Sequence, residues 1–137
     1  MNEDLSRVRQ KISRLRKKRE VLETKILNTG NLLKASYYER FITCGKQNCK
    51  CKQGEKHGPI PWVTGYKGKK TVSTSVPIEN VARVKKMTQN YKDFRNAQKE
   101  IEDINKEINK LIQKILQMKE YDIGEFTRKE GDKNDRK

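Results

Sequence analysis

The sequence predicts an α+β protein: an antiparallel coiled-coil helical hairpin as a stalk, carrying a small head of three-stranded β-sheet and zinc loop. Three observations lead there. Two long stretches carry apolar residues at alternating steps of three and four, with no Pro or Gly inside them. Between them lie three short runs rich in aromatic and β-branched residues. All three cysteines and the single histidine of the chain fall in the connection between the first two of those runs.

The first helix is predicted over residues 3–28. Leu5, Val8, Ile12, Leu15, Leu22 and Ile26 make its apolar stripe, with Arg19 standing where one heptad member should be. Asn28-Thr29-Gly30 supplies the stop, Gly30 being the expected left-handed cap. Its outward face is dense in base: Arg7, Arg9, Lys11, Arg14, Arg16, Lys17 and Lys18. The second helix is predicted over 79–119, after Pro77. From Phe94 its heptad runs unbroken through Ala97, Ile101, Ile104, Ile108, Leu111, Ile115 and Met118. Upstream, Val81, Val84, Met87 and Tyr91 shift the stripe, which points to a different packing partner. About 40 residues make a rod of roughly 60 Å, and only the last 25 or so are needed to match the first helix. Pairing within one chain is the economical solution. The same heptads would also serve a homodimer, or hairpins paired into a four-helix bundle.

The head is assigned to residues 34–78. Its first strand is read at 36–43, with Tyr38, Arg40 and Ile42 on one face and Tyr37, Glu39 and Phe41 on the other. The second is read at 60–66, where Pro61 marks an edge or a strand start. After a turn at Lys67-Gly68 the third alternates Val72, Thr74 and Val76 against Thr71, Ser73 and Ser75. Three strands alone are marginal, so they are expected to pack on Val81, Val84, Met87 and Tyr91. Tyr37, Tyr38, Trp62 and Tyr66 are assigned to the core, because the head has few other apolar residues to bury. Residues 121–137 balance their charges and offer only Tyr121, Ile123 and Phe126 as anchors, so a flexible tail is expected.

Cys44, Cys49, Cys51 and His57 follow the spacing C-x4-C-x-C-x5-H. Zinc takes thiolate and imidazole ligands in tetrahedral array, and four protein ligands would close the site, so a bound Zn2+ would be structural. The alternative is three reduced cysteines in a turn, with His57 hydrogen-bonded locally. Catalysis is not expected. No general base, triad or phosphate-binding glycine loop is present, and a thiolate at Cys49 or Cys51 would lack an acid/base partner.

The chain has 137 residues and a net charge of +15, with 33 Lys and Arg against 18 Asp and Glu. Residues 34–95 hold fourteen of these bases against four acids, and residues 1–33 hold nine against four. From residue 96 onward the charges balance. No run approaches a membrane span, the stretch Met1 to Lys18 is too polar for a signal peptide, and three cysteines do not make a disulfide scaffold. A cytoplasmic, nucleoid-associated protein with a polyanionic partner is therefore expected, nucleic acid ahead of acidic protein or lipid surfaces. The candidate contacts in the head are Arg40, Lys46, Lys50, Lys52, Lys56, Lys67, Lys69 and Lys70, with Thr71, Ser73 and Ser75 between them. Arg83, Lys85 and Lys86 follow on the second helix, while Arg14, Arg16, Lys17 and Lys18 extend the basic track on the first.

The run ERFITCGKQNCKC, followed by EKHGP, a strand, and a helix after VPIENV, resembles an uncharacterised family of small bacterial and archaeal proteins. That family shares a C-G-K-x-x-C-x-C…H-G-P core with long flanking helices, often within mobile genetic elements. The resemblance covers roughly residues 34–94 and carries across Cys44, Gly45, Lys46, Cys49, Cys51, His57, Gly58 and Pro59. Where many relatives place an aromatic after H-G-P, this chain has Ile60. In topology, three strands on a helix are also similar to the arm-site DNA-binding domains of tyrosine recombinases. The family resemblance implies a fold unit and a genomic context, and the second likeness is one of topology alone. Joined to the charge distribution, they lead to the expectation of a non-catalytic accessory protein, of a transposition or recombination system, that binds nucleic acid, DNA in preference to RNA. The alternative is a coiled-coil adaptor docking on a larger, RNA-containing nucleoprotein enzyme.

Overall fold

The structure, a computed structural model, describes residues 4–43, 45, 48, 50, 54 and 56–128. It is α+β: two helices and a small three-stranded antiparallel sheet. In chain order these are α1 (Leu5–Leu27), β1 (Ala35–Ile42), β2 (His57–Lys67), β3 (Lys70–Ser75) and α2 (Val81–Lys119). Short 3-10 turns at Ile78–Asn80 and Ile123–Glu125 precede and follow α2. The chain divides into two compact units. One takes the described residues up to Val21 and from Glu100 on; the other takes those of Leu22–Lys99.

In the first unit, Asp4 starts α1 as a side-chain cap, its Oδ1 accepting the Arg7 N–H at 2.8 Å. Val8 is fully buried, as nearly are Ile104, Ile108 and Leu111 of α2. Leu5, Ile12 and Leu15 are half-buried, keeping the heptad step. Arg19, the odd member of that stripe, is half-buried too, and its Nη1 donates to Asn105 Oδ1 at 2.9 Å. A polar pair thus replaces an apolar one at this level. Met118, read as the last member of the α2 heptad, is exposed. After α2, Tyr121 and Phe126 meet edge to face at 5.7 Å, and Asp122 Oδ1 accepts the Gly124 N–H at 2.9 Å. The expected tail therefore opens with a local turn, while residues 129–137 lie outside the described residues.

In the second unit, α1 ends without the expected glycine cap. Gly30 has no positive φ. The last carbonyls are taken instead by side chains: Asn28 Nδ2 donates to Thr24 O at 2.9 Å and Thr29 Oγ1 to Lys25 O at 2.7 Å. Leu33 N–H then reaches Met87 O at 3.0 Å, tying the segment before β1 to α2.

The sheet has the order β1-β2-β3, which makes β2 the central strand and corrects the edge position read from Pro61. The reason lies in which way Pro61 faces. Val76 N–H donates to Pro61 O at 3.0 Å, so the nitrogen of Pro61 points to the same side, just beyond the last β3 residue, Ser75. At this end of the ladder the proline forgoes only the one reciprocal bond to Val76 O, and it is tolerated. β2 also starts at His57, so the histidine lies in a strand opposite Ile42 rather than in the preceding loop. The β2–β3 turn is Gly68-Lys69, one residue later than read, closed by the Lys67–Lys70 pair. Gly68 has φ +66°, the positive value that the first position of a type II′ hairpin turn requires.

Candidate nucleic-acid interface

Pairing register sorts the sheet residues onto two faces, because cross-strand partners point the same way. Tyr37, Val63 and Thr74 share one face, together with Glu39, Pro61, Gly65 and Val72. That face turns to α2. Lys85 Nζ sits 3.9 Å from Glu39 Oε2 and 5.3 Å from the Tyr37 ring centre. Ala35, Tyr37, Val63 and Val72 are half-buried, and Val76, next along β3, is buried. Val81, Val84, Met87 and Tyr91 of α2 are half-buried on the expected stripe. The partly covered position of Tyr37 raises its phenol above the ordinary value, with the Glu39 carboxylate adding to the rise.

The opposite face is open. It carries Ser36, Tyr38 and Arg40 from β1, Ile60, Trp62, Thr64 and Tyr66 from β2, and Thr71, Ser73 and Ser75 from β3. Tyr38 and Tyr66 are exposed and Trp62 is half-buried. Three of the four aromatics assigned to the core therefore stand on the outer face, and only Tyr37 lies against the helix side. The core needs fewer rings than supposed, because α2 covers a single face and its own stripe supplies much of the apolar surface.

These exposed rings are held by polar neighbours. Trp62 Nε1 donates to Ser73 Oγ at 2.7 Å, and Thr64 Oγ1 donates to the same oxygen at 3.0 Å. Tyr38 Oη lies 3.2 Å from Ser73 Oγ and 3.0 Å from Thr64 Oγ1. The Arg40 guanidinium stacks on Trp62 at 4.6 Å, and Lys34 Nζ stands 5.1 Å from the Tyr66 ring centre. Hydrogen bonding with Ser73 and Thr64 lowers the Tyr38 phenol below its ordinary value. Among the described residues no carboxylate stands on this face.

The predicted contact residues divide accordingly. Arg40, Thr71, Ser73 and Ser75 come together on the open face; Lys67, Lys69 and Lys70 are exposed at the hairpin end, where the Lys67–Lys70 pair has the register of Gly65 and Val72 and so the parity of the other face. Lys50 and Lys56 are exposed in and after the loop. Arg83, Lys85 and Lys86 are exposed on α2, but Lys85 is engaged with Glu39 and Tyr37 on the covered side. Arg14, Arg16, Lys17 and Lys18 are exposed along α1 in the other unit. Lys46, Lys52 and the three predicted zinc ligands Cys44, Cys49 and Cys51 lie outside the described residues. Among the described residues no group of three metal-ligating side chains occurs. Sequence reasoning passed over Tyr38, Trp62, Thr64 and Tyr66. The signal was present: Tyr38 shares strand parity with Arg40, and neither neighbours an apolar residue of the same parity before Ile42.

The sequence profile of a family described as "Domain of unknown function (DUF6788)" matches residues 5–86. The chain belongs to that family. The match takes in α1, the sheet and the start of α2, so it begins well before the stretch that carried the resemblance above and ends sooner. No curated protein and no solved structure matches the chain. No helix among the described residues is long and apolar enough to cross a membrane.

Proposed function

We propose that this chain is a non-catalytic nucleic-acid-binding protein that lays the open face of its sheet on duplex DNA. The observation that carries this reading is a sheet face left uncovered by α2 and furnished with a stacked arginine, hydroxyls and rings but no carboxylate. An uncovered face on a domain that needs every apolar contact is costly unless a partner uses it. Charge selects the partner, since residues 34–95 hold fourteen bases against four acids. Size agrees: outer strands of a three-stranded sheet lie about 10 Å apart, against a major groove about 12 Å wide. Lys67, Lys69 and Lys70 at the hairpin end would contact phosphates and set orientation. The test is duplex binding by the Lys67→Glu, Lys69→Glu, Lys70→Glu variant. Affinity should collapse while the fold is kept, and unchanged binding would remove this surface.

Three further parts belong to the same reading. The heptads of α1 and of α2 beyond Glu100, with the Arg19–Asn105 bond, support an antiparallel coiled-coil hairpin within one chain. Cys44, Cys49, Cys51 and His57 would hold one structural Zn2+, and purified protein should then contain about one zinc per chain. The role is that of a nucleoid-associated accessory protein in transposition or recombination. One observation favours an adaptor instead. Ile112 and Leu116, one turn apart on α2, are 51% and 49% exposed, a pair that a partner helix could cover. A pull-down after complete nuclease digestion separates the two, since only the adaptor keeps its partner.

A further inference from the structure

We infer that the centre of the open face is a base-reading site in which Arg40 selects guanine in the major groove, with Trp62 and Ser73 as its positioning residues. This rests on the DNA-binding reading above and adds to it what the face recognises.

Three observations set Arg40 apart from the other cations. First, its guanidinium is stacked on an indole, 4.6 Å from the ring centre, whereas Lys67, Lys69 and Lys70 stand at the hairpin end. A guanidinium held over an indole loses much of its freedom, and its ring contact does not use the N–H donors with which it would bind a ligand. Second, the indole is itself fixed. Trp62 Nε1 is anchored on Ser73 Oγ at 2.7 Å, and that oxygen is also held by Thr64 and Tyr38. The anchor spans all three strands, so the guanidinium stands on a platform rather than on a mobile side chain. Third, among the described residues no carboxylate on this face competes for it. Glu39, the adjacent acid, points to the other face and is engaged by Tyr37 Oη at 3.3 Å and by Lys85.

A phosphate needs charge but little orientation, and a lysine suffices for it. A planar fork reaching from the edge strand over Trp62 of the central strand matches a ligand with two coplanar acceptors. Guanine presents O6 and N7 together in the major groove. Adenine replaces the first with an amino donor, which repels the fork, and pyrimidines offer no such pair. The deep, narrow major groove of A-form RNA would exclude the sheet, so the site is one for DNA.

The experiment is selection of the full chain against a randomised duplex library, with sequencing of the bound fraction, for wild type, Arg40→Lys, Trp62→Phe and Ser73→Ala. Wild type should enrich guanine at one fixed position at least roughly tenfold over other bases. Arg40→Lys keeps the charge, so total affinity for mixed-sequence DNA and its salt dependence should stay while the guanine preference disappears. Trp62→Phe keeps a ring but loses the Ser73 anchor. It and Ser73→Ala should weaken the preference with the overall affinity retained, a change that a merely structural role would not produce. Guanine preference surviving in Arg40→Lys, or no preferred base in wild type, overturns the inference and leaves duplex binding intact. Tighter binding to single-stranded oligonucleotides than to any duplex also overturns it, marking the rings as a stacking platform. Absence of all DNA binding by wild type overturns the DNA-binding reading and this inference together.

Discussion

Ser73 concentrates the chemistry of the open face in one hydroxyl. Trp62 Nε1 and Thr64 Oγ1 both donate to it, which uses its two lone pairs and leaves its single proton for Tyr38 Oη. The Tyr38 proton then goes to Thr64 Oγ1 at 3.0 Å, closing a ring of three hydroxyls. When Tyr38 ionises, Ser73 already donates to its oxygen and Thr64, no longer accepting the phenol proton, can turn its own hydroxyl to it, so the phenol lies low, first through Ser73 and then through Thr64. Tyr37, one residue away on the covered side, is shifted the other way by its partial burial and by Glu39. In an alkaline absorbance titration of the native protein, Tyr38 should therefore ionise before Tyr37. Tyr38→Phe should delete the early step, Tyr37→Phe should delete a late one, and Ser73→Ala should move the Tyr38 step upward. The linkage has a definite sign. Below its lowered pKa Tyr38 adds no stability, and it adds some as pH rises from there through the ordinary phenol range. An early step that persists in Tyr38→Phe would show that the hydroxyl ring does not form.

At the scale of elements, β2 is where the reading of the sequence and the structure differ most. Helical stripes were legible because their period depends on the helix alone: residues 5, 8, 12, 15, 19, 22 and 26 of α1 are all buried or half-buried. Strand parity was legible for the same reason, and Tyr38 with Arg40 opposite Tyr37 with Glu39 is correct. The position of β2 was not, because whether a strand tolerates Pro61 depends on where its neighbour β3 stops. Nor was the exposed side of the sheet, which depends on the single face that α2 covers. The register also slips between Arg40 and Ile42, where two β2 residues, Gly58 and Pro59, oppose one β1 residue, Phe41. Gly58 sits there at φ +144°, and a Cβ would fall 2.6 Å from Arg40 O and 2.8 Å from Phe41 Cδ1. Gly68 also has a positive φ, but a Cβ there would meet nothing within 4 Å. Gly58→Ala should therefore destabilise the protein by about 1–3 kcal/mol or more in urea unfolding, and Gly68→Ala by less. Equal losses would mean that the backbone near Arg40 relaxes, and with it the placing of the guanidinium.

For the whole molecule, the charge follows the family boundary more closely than any boundary of secondary structure. Residues 5–86, the matched segment, hold 21 bases against five acids, and the remainder of the chain holds 12 against 13. The entire excess therefore belongs to the part that defines the family, and the chain from residue 87 onward, with 12 bases against 11 acids, is close to neutral. A surface charged for solubility alone would have no cause to follow that boundary. Within the segment the bases lie in both compact units, on α1 in one and around the sheet in the other. Salt dependence can apportion them. Each phosphate contact adds about 0.9 to the slope of log affinity against log salt, so every contacting cation removed should flatten that slope by about one. Arg14→Ala, Arg16→Ala, Lys17→Ala and Lys18→Ala together should flatten it by up to about four and leave base preference unchanged. Lys67→Glu, Lys69→Glu and Lys70→Glu should flatten it by about three or more, because reversed charges also repel the backbone. Should the α1 variant keep the wild-type slope, the basic face of that helix does not touch the duplex. The sheet-side cations would then account for all the phosphate contacts, and the charge on α1 would be free for a different anionic partner.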